Sequence, residues 1–138
     1  MARARRRRRQ VSAQRLILDS GAVIAWSRGD ARVRALLARA LDLGRDVRIP
    51  VAVLAETLRG GSADAPIHRI RHAVDVFPLE EATARLAGAL LGRTGGTNTV
   101  DALVAAEAIG VAADVLTSDP GDLRALLAGN PGVAVIAL

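Results

Sequence analysis

Uninterrupted aliphatic segments alternate with segments of helical hydrophobic spacing along this chain. The first aliphatic segment, Leu16-Ile17-Leu18, runs directly into Asp19. Such a run is typical of a strand buried on both faces, as in a parallel sheet covered by helices. Ser20-Gly21 interrupts the run, and residues 22–26 are predicted to form a short helix. Asp19 is therefore expected at the carboxyl end of a central strand, where open α/β sheets bind ligands.

The same alternation continues to the end of the chain. Asp30 is placed to cap a helix that extends to about Asp42, and glycine pairs at 60–61 and 95–96 mark further helix ends. The later predicted strands are 47–49, 73–77, 114–117 and 133–136, separated by predicted helices at 51–59, 67–72, 80–93, 99–109 and 120–128. This order predicts an α/β fold, with one parallel sheet of about five strands and helices on both faces.

Composition restricts the chemistry that the chain can perform. A length of 138 residues suits one domain with a full core, predicted here over residues 15–138. The chain has no cysteine, which excludes disulfides, a thiolate nucleophile and cysteine-ligated zinc. All of its basic residues are arginine. Without lysine it cannot be a P-loop nucleotide hydrolase, a phosphoacceptor receiver domain or a Schiff-base enzyme.

The net charge of +5 comes from the N-terminus. Residues 1–15 contain seven arginines and no acid, whereas residues 16–138 contain 12 arginines and 14 acidic residues. Because adjacent like charges repel, residues 1–14 are expected to be a disordered tail. Such a tail either binds nucleic-acid phosphates or is a solvated leader, and both interpretations stay open. With no signal-length or membrane-length apolar run, we expect a cytoplasmic protein that does not interact with a membrane.

Four acidic residues lie near predicted strand ends or helix starts: Asp19, Glu56, Asp101 and Asp119. Taken singly, each is explained as a helix cap, a partner of a helix dipole or a solvated side chain. If the first strand pairs with strand 114–117, however, the three aspartates converge at one edge of the sheet and Glu56 reaches them. Carboxylates about 6 Å apart repel by roughly 3 kcal/mol at an effective dielectric near 20. Such a cluster needs protons or a multivalent cation.

A cluster made only of oxygen ligands favours Mg²⁺ or Mn²⁺ over zinc. Together with the absence of a P-loop, this predicts metal-assisted hydrolysis of phosphodiesters. Other arrangements have weaker support. His68 and His72 are spaced to share a helix face but lack the glutamate of zinc proteases, so both are expected to be exposed. A phosphatase with Asp19 as nucleophile would need an acid where Gly21 stands. No histidine is placed as a base for the nearby hydroxyl residues Ser20, Thr117 and Ser118.

Four segments resemble, in order, the four acidic motifs of PIN-domain ribonucleases, and most closely those of VapC-type toxins of bacterial toxin–antitoxin pairs. They are residues 16–22 (LILDSGA), 54–57 (LAET), 99–106 (TVDALVAA) and 116–123 (LTSDPGDL). The resemblance covers residues 15–138. It implies a PIN-like fold and endonucleolytic cleavage of RNA that depends on Mg²⁺ or Mn²⁺.

The resemblance also implies roles for individual residues. Asp19, Glu56, Asp101 and Asp119 would be catalytic, as metal ligands or as organisers of the attacking water. Ser118 and Asp122 would support them, and the choice between Asp119 and Asp122 as the fourth acid stays open. The implied partners are RNA, a second copy of the chain and a small cognate antitoxin that covers the acidic crevice, often by inserting an arginine. Two alternatives remain: a PIN nuclease of RNA processing, or a non-catalytic module that binds RNA or a partner.

Overall fold

The computed structural model describes residues 15–138, and a parallel sheet forms its centre. The spatial order of the strands is β3-β2-β1-β4-β5, and every adjacent pair is parallel. The predicted α/β fold with a five-stranded parallel sheet is therefore confirmed. The predicted arginine-rich tail at 1–14 lies outside the described residues. The strands are β1 (Arg15–Leu18), β2 (Asp46–Pro50), β3 (Asp75–Phe77), β4 (Asp114–Thr117) and β5 (Val135–Ala137).

Seven α-helices connect and flank these strands in the described part of the chain. In the same range, no helix is long and apolar enough to cross a membrane. A single 3₁₀ turn, Ser62–Asp64, precedes the fourth helix. The helices are α1 (Ser20–Ser27), α2 (Ala31–Asp42), α3 (Val51–Thr57), α4 (Ala65–Ala73), α5 (Glu81–Thr94), α6 (Thr99–Val111) and α7 (Pro120–Leu126).

The chain builds the sheet outward from β1 in both directions. It first places β2 and β3 on one side of β1, and it then returns to place β4 and β5 on the other. The register pairs Leu16 with Asp114 and Leu18 with Leu116. Because parallel neighbours end at the same edge, Asp19 and the residues after β4 meet at the point where the strand order reverses.

Several predicted boundaries differ from the observed ones for local reasons. The first helix begins at Ser20 rather than at residue 22, because Asp19 caps it. Helix α4 continues through Ala73, so β3 begins at Asp75 rather than at 73. Helix α3 ends at Thr57 rather than at 59, because the N–H groups of the next turn donate to a buried carboxylate. The Asp64 carboxylate accepts from Arg59 N (2.9 Å) and Gly60 N (2.7 Å).

Aliphatic side chains fill the core on both faces of the sheet. Leu16, Ile17 and Leu18 are almost fully buried, as expected for a central strand. On α2 the apolar stripe is wider than the buried face. Leu37 is 1% exposed, whereas its neighbour Leu36 is 37% exposed.

This contrast on α2 gives a direct test of the packing. Replacing Leu37 by Ala is expected to lower the free energy of unfolding by about 2–5 kcal/mol, because it leaves a cavity under the helix. Leu36→Ala, one residue away, is the matched control and is expected to cost less than about 1 kcal/mol. Urea denaturation of both variants measures the difference. Equal losses would contradict the described orientation of α2.

Candidate active site

The side chain of Asp19 connects the end of β1 to two other elements. It is 7% exposed. One carboxylate oxygen, Oδ1, accepts the backbone N–H of Ala22 at 3.0 Å and so caps α1. The other, Oδ2, accepts a hydrogen bond from the hydroxyl of Thr117, at the end of β4. Asp19 is therefore a helix cap and, at the same time, part of the junction between β1 and β4.

Thr117 is the fully buried centre of this junction. Its hydroxyl oxygen donates to Asp19 and accepts the backbone N–H of Asp119 at 2.9 Å. Asp119 occupies the N-cap position of α7, but its exposed side chain makes no capping hydrogen bond. The β4–α7 turn is thus fixed to Asp19 through one threonine, and the Asp119 carboxylate remains available to solvent.

Glu56 reaches the same edge of the sheet from α3. The hydroxyl of Ser20, the first residue of α1, donates to Glu56 Oε1 at 2.5 Å. This contact joins residues 36 positions apart in the chain. The structure therefore places the glutamate beside the start of α1, next to Asp19.

Asp101 lies in the first turn of α6, which Asn98 caps by accepting the Asp101 N–H at 3.0 Å. Burial is the largest cause and the charges of the nearby carboxylates add to it, and together they raise the pKa of Asp101 to about 6. In decreasing order of effect these carboxylates are Asp19, Asp122, Glu56 and Asp119. All of the predicted acids are therefore within electrostatic reach of Asp101, and Asp122 affects it more than Asp119 does.

Asp19 experiences the same conflict between burial and charge. Burial raises its pKa, the hydrogen bonds from Thr117 and the α1 backbone oppose that increase, and the Glu56 charge adds to it. None of these donors is cationic. Within residues 15–138, the arginine–carboxylate ion pairs involve only acids outside this group: Asp46, Asp114 and Glu81.

Asp19, Glu56, Asp101, Asp119 and Asp122 form an acidic cluster, and their ligand chemistry is that of a hard-cation site. Its side chains offer only carboxylate oxygens, which repel one another, and no arginine in the described part of the chain forms an ion pair with them. In the described range, however, no three acidic or histidine side chains are close enough together to hold a metal ion. The donor set, made only of carboxylate oxygens, nevertheless fits Mg²⁺ or Mn²⁺.

Ser118 follows Thr117 and contacts the β1–α1 turn. A Cβ atom added to Gly21 would collide with the Ser118 hydroxyl and lie 2.9 Å from the Ser118 Cβ. Only glycine at position 21 lets the two turns approach this closely. The structure therefore shows Ser118 as a packing partner of Gly21, and its supporting role in the site stays a prediction.

A cavity of about 280 Å³ opens beside the cluster. Asp101 and Asp122 border it, and the rest of its wall comes from the end of α5, the loop 95–98 and α7. No sequence pattern predicted this cavity, because its walls come from separate segments. His68 and His72 are both exposed on α4, as predicted.

From the sequence, Ser20 and Thr117 were candidates only for a nucleophile. The structure shows instead that their hydroxyl groups donate to acidic side chains and so position them. A signal was present in both cases. Thr117 is the last residue of a buried strand and Ser20 is two positions beyond the end of another, and each is within two residues of an acid. A small hydroxyl side chain there is suited to donate to a carboxylate from the adjacent strand.

Comparison with known proteins gives one family match and a set of similar folds. The family model described as PIN domain matches residues 16–126. No curated protein matches the chain in sequence.

Similar solved structures include three toxin–antitoxin complexes. VapBC2 from Rickettsia felis, bound to a promoter DNA fragment, has a TM-score of 0.73 at 15% identity, over 90% of this chain and 98% of the other. A toxin–antitoxin complex from Klebsiella pneumoniae has a TM-score of 0.65 at 20% identity, over 86% and 95%. VapBC-5 from Mycobacterium tuberculosis has a TM-score of 0.58 at 24% identity, over 91% and 99%. At these identities the likeness shows a shared fold.

The contact between Gly21 and Ser118 can be tested by mutation. Gly21→Ala is expected to lower the free energy of unfolding by about 1–3 kcal/mol, because the added methyl group forces the two turns apart. Gly88→Ala, on the open surface of α5, is the control and is expected to stabilise by up to about 1 kcal/mol. Ser118→Gly should restore most of the stability in the Gly21→Ala background. If Ser118→Gly does not restore stability, the destabilisation by Gly21→Ala does not come from contact with the Ser118 side chain.

The raised pKa of Asp101 predicts a specific pH dependence of stability. From about pH 4 to pH 6 the folded protein binds this proton more tightly than the unfolded chain does, so the Asp101 contribution to stability falls as pH rises. Because asparagine does not ionise, the Asp101→Asn variant does not lose this stability as pH rises. In EDTA the variant should gain about 1 kcal/mol over the wild type between pH 4 and pH 7, allowing for solvent screening.

Denaturation of both proteins across this pH range measures the gain. Glu81→Gln, an exposed change outside the cluster, is the control and should show no comparable gain. A difference between Asp101→Asn and wild type that is independent of pH would contradict the raised pKa.

Proposed function

Because the chain belongs to the PIN-domain family, whose members are nucleases, we propose that it hydrolyses RNA with the help of Mg²⁺ or Mn²⁺. The observation that carries the proposal is the acidic cluster at the carboxyl ends of β1 and β4, whose members form no ion pair with an arginine of residues 15–138. Burial and four neighbouring carboxylates raise the pKa of Asp101 to about 6. A divalent cation would relieve that repulsion and so bind preferentially to the folded chain.

The proposed roles of the acids follow from their positions. Asp19, Glu56, Asp101 and Asp119 would hold the cation, and Asp122 would support them or replace Asp119. Asp122 affects Asp101 more strongly, which favours it as a direct participant. When bound, a divalent cation lowers the pKa of water and neutralises charge on the scissile phosphate.

The chain's own residues arrange the acids for this reaction. The Thr117 hydroxyl holds Asp19 and the Ser20 hydroxyl holds Glu56, so two carboxylates from different elements have fixed positions before RNA binds. Asn98 caps α6 and thereby orients the turn that carries Asp101. Hydrolysis adds water across one P–O ester bond, which leaves a phosphate on one RNA fragment and a hydroxyl group on the other. Such prearranged groups contribute to rate by avoiding reorganisation during the reaction.

We further propose that the chain is the toxin of a toxin–antitoxin pair, that it forms a homodimer and that it acts in the cytoplasm. The solved structures of similar fold from Rickettsia felis and Klebsiella pneumoniae are toxin–antitoxin complexes, which supports a small protein partner. A PIN nuclease of RNA processing is the alternative. A small antitoxin encoded next to this chain would support the toxin, and its absence would favour the RNA-processing nuclease.

Charge-neutral substitutions at the site test catalysis. Asp19→Asn and Asp101→Asn are each expected to reduce cleavage of total RNA by more than 100-fold. Loss of a residue that only supports a metal ligand already costs about 10–100-fold. Asp42→Asn, at the exposed end of α2, is the matched control and should cleave like the wild type. Cleavage is measured with Mg²⁺, with Mn²⁺ and with EDTA.

Thermal unfolding of the same proteins separates lost catalysis from lost folding. Mn²⁺ should raise the Tm of the wild type and of Asp42→Asn, but not that of Asp101→Asn. Full cleavage by either cluster variant would contradict the proposed roles. A wild type that neither binds Mn²⁺ in a calorimetric titration nor cleaves RNA would instead indicate a non-catalytic module.

A further inference from the structure

The cavity beside the acidic cluster has a mixed lining. Leu91 and Leu126 contribute apolar surface, as does Ala125. Thr97 and Asn98, whose side chains carry a hydroxyl and an amide, also line it. Apolar surface suits the face of a planar ring, and polar groups suit its edge, which is the usual composition of small-ligand sites.

Hydrogen bonds within the protein hold the cavity open. The guanidinium of Arg93, near the end of α5, donates to Leu126 O (2.8 Å) and Ala128 O (3.0 Å), at and just beyond the end of α7. This joins two walls of the cavity. Gly95 ends α5 with a φ of +71°, a conformation that favours glycine. A Cβ on Gly96 would lie 3.2 Å from Thr94 Oγ1 and 3.5 Å from Leu91 Cδ2. The absence of a side chain there leaves the cavity free of obstruction.

The size and charge of the cavity restrict its ligand. At about 280 Å³ it is just below the range of about 300–1,000 Å³ typical of pockets for drug-sized molecules, so it suits a single ring system. Asp101 and Asp122 at its border repel anions. A phosphate is therefore disfavoured inside it, whereas a neutral nucleobase with N–H donors is compatible.

We propose that this cavity binds one unpaired base of the RNA, adjacent to the cleaved phosphate, and thereby selects the cleavage site. The inference rests on the proposed function, because Asp101 belongs both to the acidic cluster and to the wall of the cavity. Proteins that read RNA sequence do so mainly on unstacked bases, through contact with the ring face and hydrogen bonds to its edge. The cavity offers both kinds of contact, and it shares Asp101 with the acidic cluster.

The experiment fills the cavity without changing the acids. The wild type, Ala125→Phe and Ala89→Phe are incubated with Mn²⁺ and a pool of oligoribonucleotides of random sequence, and the fragment ends are sequenced. Ala89 lies on the exposed surface of α5 away from the cavity, so its variant is the matched control. We expect the wild type and the control to show one preferred base beside the cut. Ala125→Phe should lose that preference and lose about tenfold or more in kcat/KM on the preferred sequence.

A second variant and a binding measurement cover the case in which Ala125→Phe is unstable. Thr97→Val removes a hydroxyl from an exposed loop residue with little change of shape and should alter the preferred base. In EDTA, where cleavage is not expected, an oligoribonucleotide that contains the fluorescent base 2-aminopurine at the preferred position should bind with quenched fluorescence. The quenching should be lost in Ala125→Phe and kept in Ala89→Phe.

The outcomes separate this inference from the proposed function. No cleavage by the wild type would overturn both. Cleavage without base preference, or with the same preference and kcat/KM in the folded Ala125→Phe variant, would overturn the inference alone. An unchanged base preference in Ala125→Phe would mean that the cavity does not read the RNA. Asp101 and Asp122 would then favour a cationic occupant, such as a partner's arginine side chain.

Discussion

The parallel pairing of β1 with β4 determines where the acidic residues lie. The ladder continues one residue past β1, where Asp19 N donates to Leu116 O at 3.1 Å, so the Asp19 side chain leaves the sheet directly beside Thr117. A carboxylate that is 7% exposed would be costly without hydrogen-bond donors. Thr117 and the first turn of α1 supply them. Since the turns that follow both strands are attached to this junction, its hydrogen bonds position Ser20 and Asp119 as well, and Ser20 in turn donates to Glu56.

These donors orient the acids without neutralising them. A hydroxyl or a backbone N–H fixes the direction of a carboxylate, whereas an arginine would also cancel its charge. The cluster therefore keeps its mutual repulsion, which appears in the raised pKa of Asp101. Such a concentration of like charge lowers stability at the site, and the proposed divalent cation would offset that loss. The same negative charge at the cavity border favours an uncharged or cationic group over an anion.

Local sequence signals predicted the elements well, and they failed where a residue outside the predicted segment intervened. The helix that follows Asp30 begins and ends as predicted, because its cap and its apolar spacing are local. Helix α3 ends two residues early, because the buried Asp64 carboxylate binds the backbone N–H groups of Arg59 and Gly60. The apolar stripe on α2 includes Leu36, which the sheet leaves exposed. Periodicity shows that a helix has an apolar face, but the neighbouring elements decide how much of that face is buried.

Residue type and short-range spacing were enough to predict the α/β class, the order of strands and helices, and the acidic residues near the strand ends. Which hydroxyl donates to which carboxylate became visible only in the folded chain. Thr117 and Asp19 are 98 residues apart, and Ser20 and Glu56 are 36 apart. The cavity between α5 and α7 likewise depends on Arg93 reaching across to Leu126 O. The physical reason is that hydrophobic periodicity specifies what each segment buries, whereas the partner of a polar group depends on which segments pack together.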